Sequence, residues 1–225
     1  MKIESNRSKP KETEIVFIDW FNTLSNGMFW EHWNDKDNQF HEHIKVLENF
    51  ISQCKLNRKF DGWMRGKYSS EDICSELESI LGIPKAKILN ELFHSASNFK
   101  INDNRILTLV QNLREDGVRV VVATDNMDNF RIATIPGLKL EDYFDDFLIS
   151  SEIGYVKKDE IEGKSIFFND YLLKNEVDFS RTVLIDDGAE KDAVYARLGM
   201  QIWKIKSPED VIQALRYIIN KNMKT

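Results

Sequence analysis

Cysteine is scarce: Cys54 and Cys74 are the only two in 225 residues. Two thiols are too few to staple the fold, and their spacing is not that of a metal site. A long apolar run is also missing, and none reaches the ~20 residues that a membrane-crossing helix needs. Nor is positive charge in excess, with 31 Lys plus Arg against 37 Asp plus Glu and a net charge of −6. A dedicated nucleic-acid binder carries the opposite field, so neither nucleic acid nor membrane is an expected partner. The opening stretch MKIESNRSKPKETE has basic residues but no apolar segment behind them, which argues against a secretory signal. With reduced thiols, the simplest expectation is a cytoplasmic protein. Repeats and low-complexity tracts are absent. What is present is 42% hydrophobic and 11% aromatic residues, enough for a sizeable core in one unit or a core with an insert.

Residues 1–11 are polar and read as a flexible tail. From Ile15 the run IVFID is short, continuous and apolar, as in a strand buried on both faces. Val118 to Asp125 and Arg181 to Asp187 look alike, and Asp145–Ser150 and Gln201–Ile205 are weaker candidates. Helical patterns lie between them: NRILTLVQNLRED stopped by Gly117, GKSIFFNDYLLKN, EKDAVYARLG, and SPEDVIQALRYIINK with Ser207 as N-cap. Strands alternating with helices predict an α/β fold with a doubly wound, mainly parallel sheet. Residues 26–100 differ, with helical periodicity and no convincing strand, and read as a helical cap inserted into a core of 12–25 and 101–225. One cap helix has a Ser69/Asp72 capping pattern.

In such sheets ligands sit beyond the carboxyl ends of the strands, so the polar residues there have reason to converge. Asp19 ends the first strand, and a carboxylate there can act as a nucleophile. Thr124 ends the second, where a hydroxyl can bind an anionic oxygen. Asp125 and Asn126 follow it and could reach the same site, as could Asn22 after the first strand. Asp186 and Asp187 are adjacent acids at the third tip, whose mutual repulsion a hard divalent cation such as Mg²⁺ relieves. His41 and His43 are two apart and point away from each other on a helix, so a solvated surface is the expectation. Trp30, Trp33 and Trp63, with Phe29, are expected to pack a cap core rather than line a pocket.

The order Asp-x-x-x-Thr-Leu, helical insert, strand-ending Thr, Lys, then strand-ending Asp-Asp resembles the haloacid dehalogenase-like (HAD) hydrolase superfamily. The resemblance runs from about Ile15 to Ile205, with the insert where the family's helical first-type cap sits. It implies a Rossmann-like core, an aspartyl nucleophile and usually a Mg²⁺-dependent phosphohydrolase of a small phosphorylated molecule. By that resemblance Asp19 is the nucleophile, Thr124 binds the transferring group, and Asp187 with Asp186 and Asp19 holds the metal. The family lysine lies some two dozen residues before the metal Asp. An alignment without gaps selects Lys164, 23 residues before Asp187 and expected to open a helix. Lys157 is the alternative, at the cost of about five extra residues before that helix.

Two positions depart from the pattern. The family's general acid, two residues after the nucleophile, is here Phe21, which has no proton to give, although its backbone carbonyl can still bind a metal. Lys191 stands where the family usually has Asp or Asn, with Asp192 beside it. An aromatic at position 21 is similar to the 2-haloacid dehalogenases, which carry Tyr there but lack the acidic pair. Asp186 and Asp187 therefore favour a Mg²⁺-dependent phosphohydrolase. A dehalogenase-like hydrolase or a catalytically weak phosphate- and metal-binding protein is the alternative. Substrate identity and oligomeric state stay open.

Overall fold

A computed structural model of the chain describes residues 12–223. The expected tail at 1–11 lies outside them. Among the described residues there are seven strands: β1 Ile15–Ile18, β2 Arg119–Thr124, β3 Asp146–Ile149, β4 Glu160–Ile161, β5 Lys164–Ser165, β6 Thr182–Asp186 and β7 Gln201–Lys204. Five of them form a parallel sheet in the order β3-β2-β1-β6-β7, while β4 and β5 make a separate antiparallel hairpin. All five sequence-predicted strands belong to the large sheet.

The longer helices are α1 Ile44–Leu56, α2 Lys59–Met64, α3 Ser70–Leu81, α4 Lys85–Ser97 and α5 Asn104–Glu115. After them come the short α6 Ile135–Gly137 and α7 Ser150–Ile153, then α8 Ile166–Lys174, the short α9 Val194–Arg197, and α10 Pro208–Asn222. None is long and apolar enough to cross a membrane among the described residues. The Ser69/Asp72 capping box of α3 and the Ser207 cap of α10 both form as the sequence predicts.

Strand residues alternate between two buried faces. Val16, Ile18, Val120, Val122, Val183 and Ile185 meet Ile106, Val110 and Leu113 of α5 and Ile212 and Leu215 of α10. Ile15, Phe17, Val121, Ala123 and Leu184 meet Phe167, Phe168 and Leu172 of α8. Each large apolar side chain buried this way contributes about 1.5–3 kcal/mol. Burial on both faces is why these strands read as unbroken apolar runs instead of alternating ones.

The helices between β1 and β2 bury an apolar cluster of their own, including Trp33, Leu47, Ile73, Leu77, Ile88 and Leu92. Trp30, Trp33 and Trp63 are all at most 1% exposed, so the tryptophans are core. Trp63 Nε1 donates to Asp128 Oδ1 at 3.0 Å, and Ser70 N–H and Oγ donate to the same carboxylate. These bonds seat the insert on the loop that follows β2.

Candidate active site

The order in which parallel strands are added reverses at β1: β2 and β3 lie on one side, β6 and β7 on the other. Beyond the carboxyl ends at such a switch point a crevice opens, which is where doubly wound folds bind ligands. Asp19 is the first residue past β1, and its N–H donates to Ile185 O at 3.0 Å, continuing the β1–β6 ladder. The register of Ile18 on Ile185 sets it beside Asp186, the last residue of β6. Both residues are buried, at 7% and 3% exposure. Carboxylate oxygens of Asp19, Asp186 and the half-buried Asp187 all lie within 4.8 Å of one another, the only group of this kind among the described residues. His41 and His43 take no part in it; His41 Nδ1 instead meets Trp33 O at 3.1 Å.

Lys157, 8% exposed, enters this cluster. Its Nζ lies 2.8 Å from Asp19 Oδ1 and pairs as well with Asp186 Oδ2. Its backbone N–H donates to Asp125 Oδ1 at 2.9 Å. The other oxygen of Asp186 accepts from Gly188 N–H at 2.7 Å, and Asp187 Oδ2 accepts from Asn22 Nδ2 at 3.0 Å.

Electrostatically the cluster is over-supplied with negative charge. Burial pushes the Asp19 carboxyl up to about 7; Lys157 pulls it down, while Asp186 and Asp125 push it further up. Asp125 is also raised, chiefly by burial. Burial works against the Lys157 ammonium, but Asp19, Asp186 and Asp125 outweigh it and hold its pKa above the usual lysine value.

Lys164 is a correction. It does not open α8 but sits exposed in β5, part of a hairpin whose turn residues Glu162 and Gly163 have φ of 51° and 76°. Positive φ at both central residues is the two-residue hairpin geometry, which glycine at the second position eases. Lys157, not Lys164, meets the carboxylates.

Thr124 ends β2 next to β1 and is buried. Asn126 is buried but occupied: its N–H donates to Ser150 Oγ at 2.9 Å and its Oδ1 accepts from Met127 N–H at 2.9 Å. Phe21 is 43% exposed in a tight turn where Leu24 N–H and Ser25 N–H both donate to Trp20 O. Asn22 adopts φ 57° in that turn, a conformation asparagine tolerates, and so reaches Asp187. Lys191 and Asp192 are exposed. Two surface clefts, of about 510 and 440 Å³, lie away from the carboxylates, one at the amino ends of β1 and β2 and the other around Gly27 and His94.

The sequence matches no family model and no curated protein. Solved structures do match. A HAD family enzyme from Bacteroides thetaiotaomicron superposes with a TM-score of 0.68 at 19% identity, over 92% of this chain and 100% of that one. The same enzyme solved with magnesium and inorganic phosphate gives a TM-score of 0.63 at 18% identity, over 87% and 95%. L-2-haloacid dehalogenase from Xanthobacter autotrophicus, with chloropropionic acid covalently bound, gives 0.58 at 11% identity, over 91% and 83%. The chain has the HAD fold. A HAD fold accounts for the five parallel strands and for a helical segment leaving the sheet just after β1. Asp19, Thr124 and Asp186 stand at the ends of three adjacent strands of it.

Proposed function

We propose that the protein is a Mg²⁺-dependent HAD-type hydrolase of a small phosphorylated molecule, with residues 26–100 as a helical cap over a core of 12–25 and 101–225. The carrying observation is the meeting of Asp19, Lys157, Asp186 and Asp187 at the switch point of the sheet. Magnesium and inorganic phosphate in the Bacteroides thetaiotaomicron structure lend further support. The donor set fits the ion: hard carboxylate oxygens within 4.8 Å of one another, with Lys157 the single ammonium among them. Asp19 and Asp187, with the backbone carbonyl of Phe21, would hold it, and Asp186 would support it. When bound, Mg²⁺ neutralises charge on the transferring group.

In this reading Asp19 attacks phosphorus in line through a carboxylate oxygen, and the bond to the leaving-group oxygen breaks as the aspartyl phosphate forms. The Lys157 ammonium and the Thr124 hydroxyl hold the equatorial oxygens, an electrostatic role in which displaced water cannot screen them. Water then releases phosphate and restores Asp19. Asp125 holds the Lys157 backbone, and Asn22 orients Asp187. Phe21 cannot protonate a leaving group, so acyl and aryl phosphates are the favoured class. Phosphate and halide release, assayed side by side with and without Mg²⁺, test the whole reading. Halide release independent of metal would move the assignment to the dehalogenase-like reading, which the aromatic Phe21 favours.

Magnesium should raise the melting temperature by mass action. Asp187→Ala should remove most of that shift, and Asp186→Ala less, because Asp186 already spends both oxygens on Lys157 and Gly188 N–H. A calorimetric titration showing no binding at millimolar Mg²⁺ would count against the metal site.

Restoring a carboxylate with Phe21→Asp should raise turnover of alkyl phosphates, whose alkoxides need a proton, and do little for aryl phosphates. General-acid catalysis supplies ~10²–10⁴-fold, which is the ceiling for the gain. Since Phe21 is 43% exposed, the variant should fold. Equal rates for wild type and variant on an alkyl phosphate, per folded molecule, would show that the missing acid is not limiting.

A further inference from the structure

The turn that carries Lys157 is gripped by a residue of the helical insert. Arg65 follows α2, and its side chain is only 16% exposed. Nε donates to both oxygens of Asp61 at 3.1 Å, which fixes the guanidinium on its own helix. Nη1 and Nη2 reach across to Asp159, Nη2 at 3.1 Å from Oδ1 and Nη1 on Oδ2. This is the forked, two-point geometry that makes arginine–carboxylate pairs strong and directional.

Asp159 lies two residues beyond Lys157 and closes its turn. Oδ2 accepts from Val156 N–H at 2.9 Å, and the Asp159 N–H donates to Val156 O at 2.9 Å. Between these anchors Lys157 N–H is held by Asp125, and the Lys157 ammonium lies on Asp19 and Asp186. The same end of α2 is seated on the core twice more. Ser150 Oγ donates to Met64 O at 2.6 Å, and a Cβ on Gly66, at φ 68°, would lie 2.2 Å from Ser151 O. Backbone therefore packs on backbone here, and only glycine permits it.

We infer that the Arg65–Asp159 pair is a latch that couples seating of the helical insert to the position of the Lys157 ammonium. Arg65 is thus a positioning residue for the proposed hydrolysis, and this role rests on that reading. When the insert lifts, the fork leaves Asp159, the Val156–Asp159 turn loosens, and Lys157 loses the backbone that aims it at Asp19. Hydrolytic competence is confined to the seated state.

The test uses the full chain and the variants Arg65→Ala, Arg65→Lys, Asp159→Ala and the Arg65→Ala/Asp159→Ala double variant. Hydrogen exchange at the Val156 and Lys157 amides should accelerate roughly tenfold or more in Arg65→Ala through easier local opening. With 4-nitrophenyl phosphate and Mg²⁺, kcat should fall roughly ten- to a hundredfold, the cost of a reactive group displaced by about an ångström, with KM little changed. Asp159→Ala, which also loses the Val156 N–H bond, should lose as much as the double variant, Arg65→Ala no more than that, and Arg65→Lys should recover only part. Unchanged exchange at Val156 and Lys157 would overturn the latch whether or not the protein hydrolyses phosphate esters. A lowered melting temperature with kcat per folded molecule unchanged would also overturn it, leaving Arg65 a structural residue. If wild type shows no phosphate release, the phosphohydrolase reading fails and the exchange measurement alone decides the latch.

Discussion

Lys157→Ala should cut turnover of an aryl phosphate by ~10²–10³-fold, the range seen when one preorganised charge-stabilising donor is removed. Lys164→Ala should leave it within about twofold, as expected for a surface substitution away from the site. The contrast follows from contacts: Lys157 Nζ lies 2.8 Å from Asp19 Oδ1, whereas Lys164 is exposed in the β4–β5 hairpin. Removing Lys157 also leaves Asp19 and Asp186 buried without their cation, a situation that costs about 3–5 kcal/mol in comparable buried pairs. Activity must therefore be taken per folded molecule. Mg²⁺ supplies a second handle: it should restore much of the melting temperature of Lys157→Ala, because a dication offsets the same carboxylates. It should not restore turnover, since the ammonium proposed to grip the transferring group is gone. Wild-type activity in a folded Lys157→Ala protein would remove lysine from the mechanism.

The expectation that Lys164 opens a helix failed for a physical reason. The sheet was legible because each central strand is buried on both faces and so leaves an unbroken apolar run, as IVFI does at β1. Its carboxyl ends were legible for the same reason, since the run stops where the polar residues begin at Asp19, Thr124 and Asp186. A hairpin of two-residue strands leaves no such trace. Glu160, Ile161, Lys164 and Ser165 have too few positions to show alternation, and only Gly163 hints at the turn. An alignment without gaps therefore runs straight through it and favours Lys164, whereas the lysine that meets the carboxylates is Lys157.

Long-range polar pairing was illegible for a different reason. Arg65 and Asp159 are 94 positions apart, and with 31 basic and 37 acidic residues nothing in the sequence singles out that pair. Asp125 is intermediate: its place after β2 marked it as a site candidate, but its bond to the Lys157 backbone needed the fold. The helical insert was legible as helices through its periodicity and its Ser69 cap. Its seating through Asp128, Ser150 and Gly66 was not, because those contacts depend on which loops the topology brings beneath α2.

Asp19→Asn should abolish turnover, by ~10⁴-fold or more, because in the proposed route Asp19 is the covalent nucleophile and its loss removes the pathway and not merely a contact. The amide is nearly the same size as the carboxylate, and its backbone N–H keeps the bond to Ile185 O. A gross loss of stability is not expected. In the wild-type fold burial disfavours the charged form of Asp19, and Asp186 and Asp125 add to that, so a neutral side chain relieves repulsion. Lys157 loses one partner but retains Asp186. The melting temperature without metal should therefore hold or rise, while the further rise on adding Mg²⁺ should shrink, since one carboxylate ligand has been removed. Those opposite responses separate a lost nucleophile from a damaged fold. Aspartyl phosphate trapped by rapid acid quench in wild type and missing in Asp19→Asn would identify the attacking atom. Turnover at the wild-type rate in the variant would take the nucleophile role away from Asp19 and, with it, the covalent route.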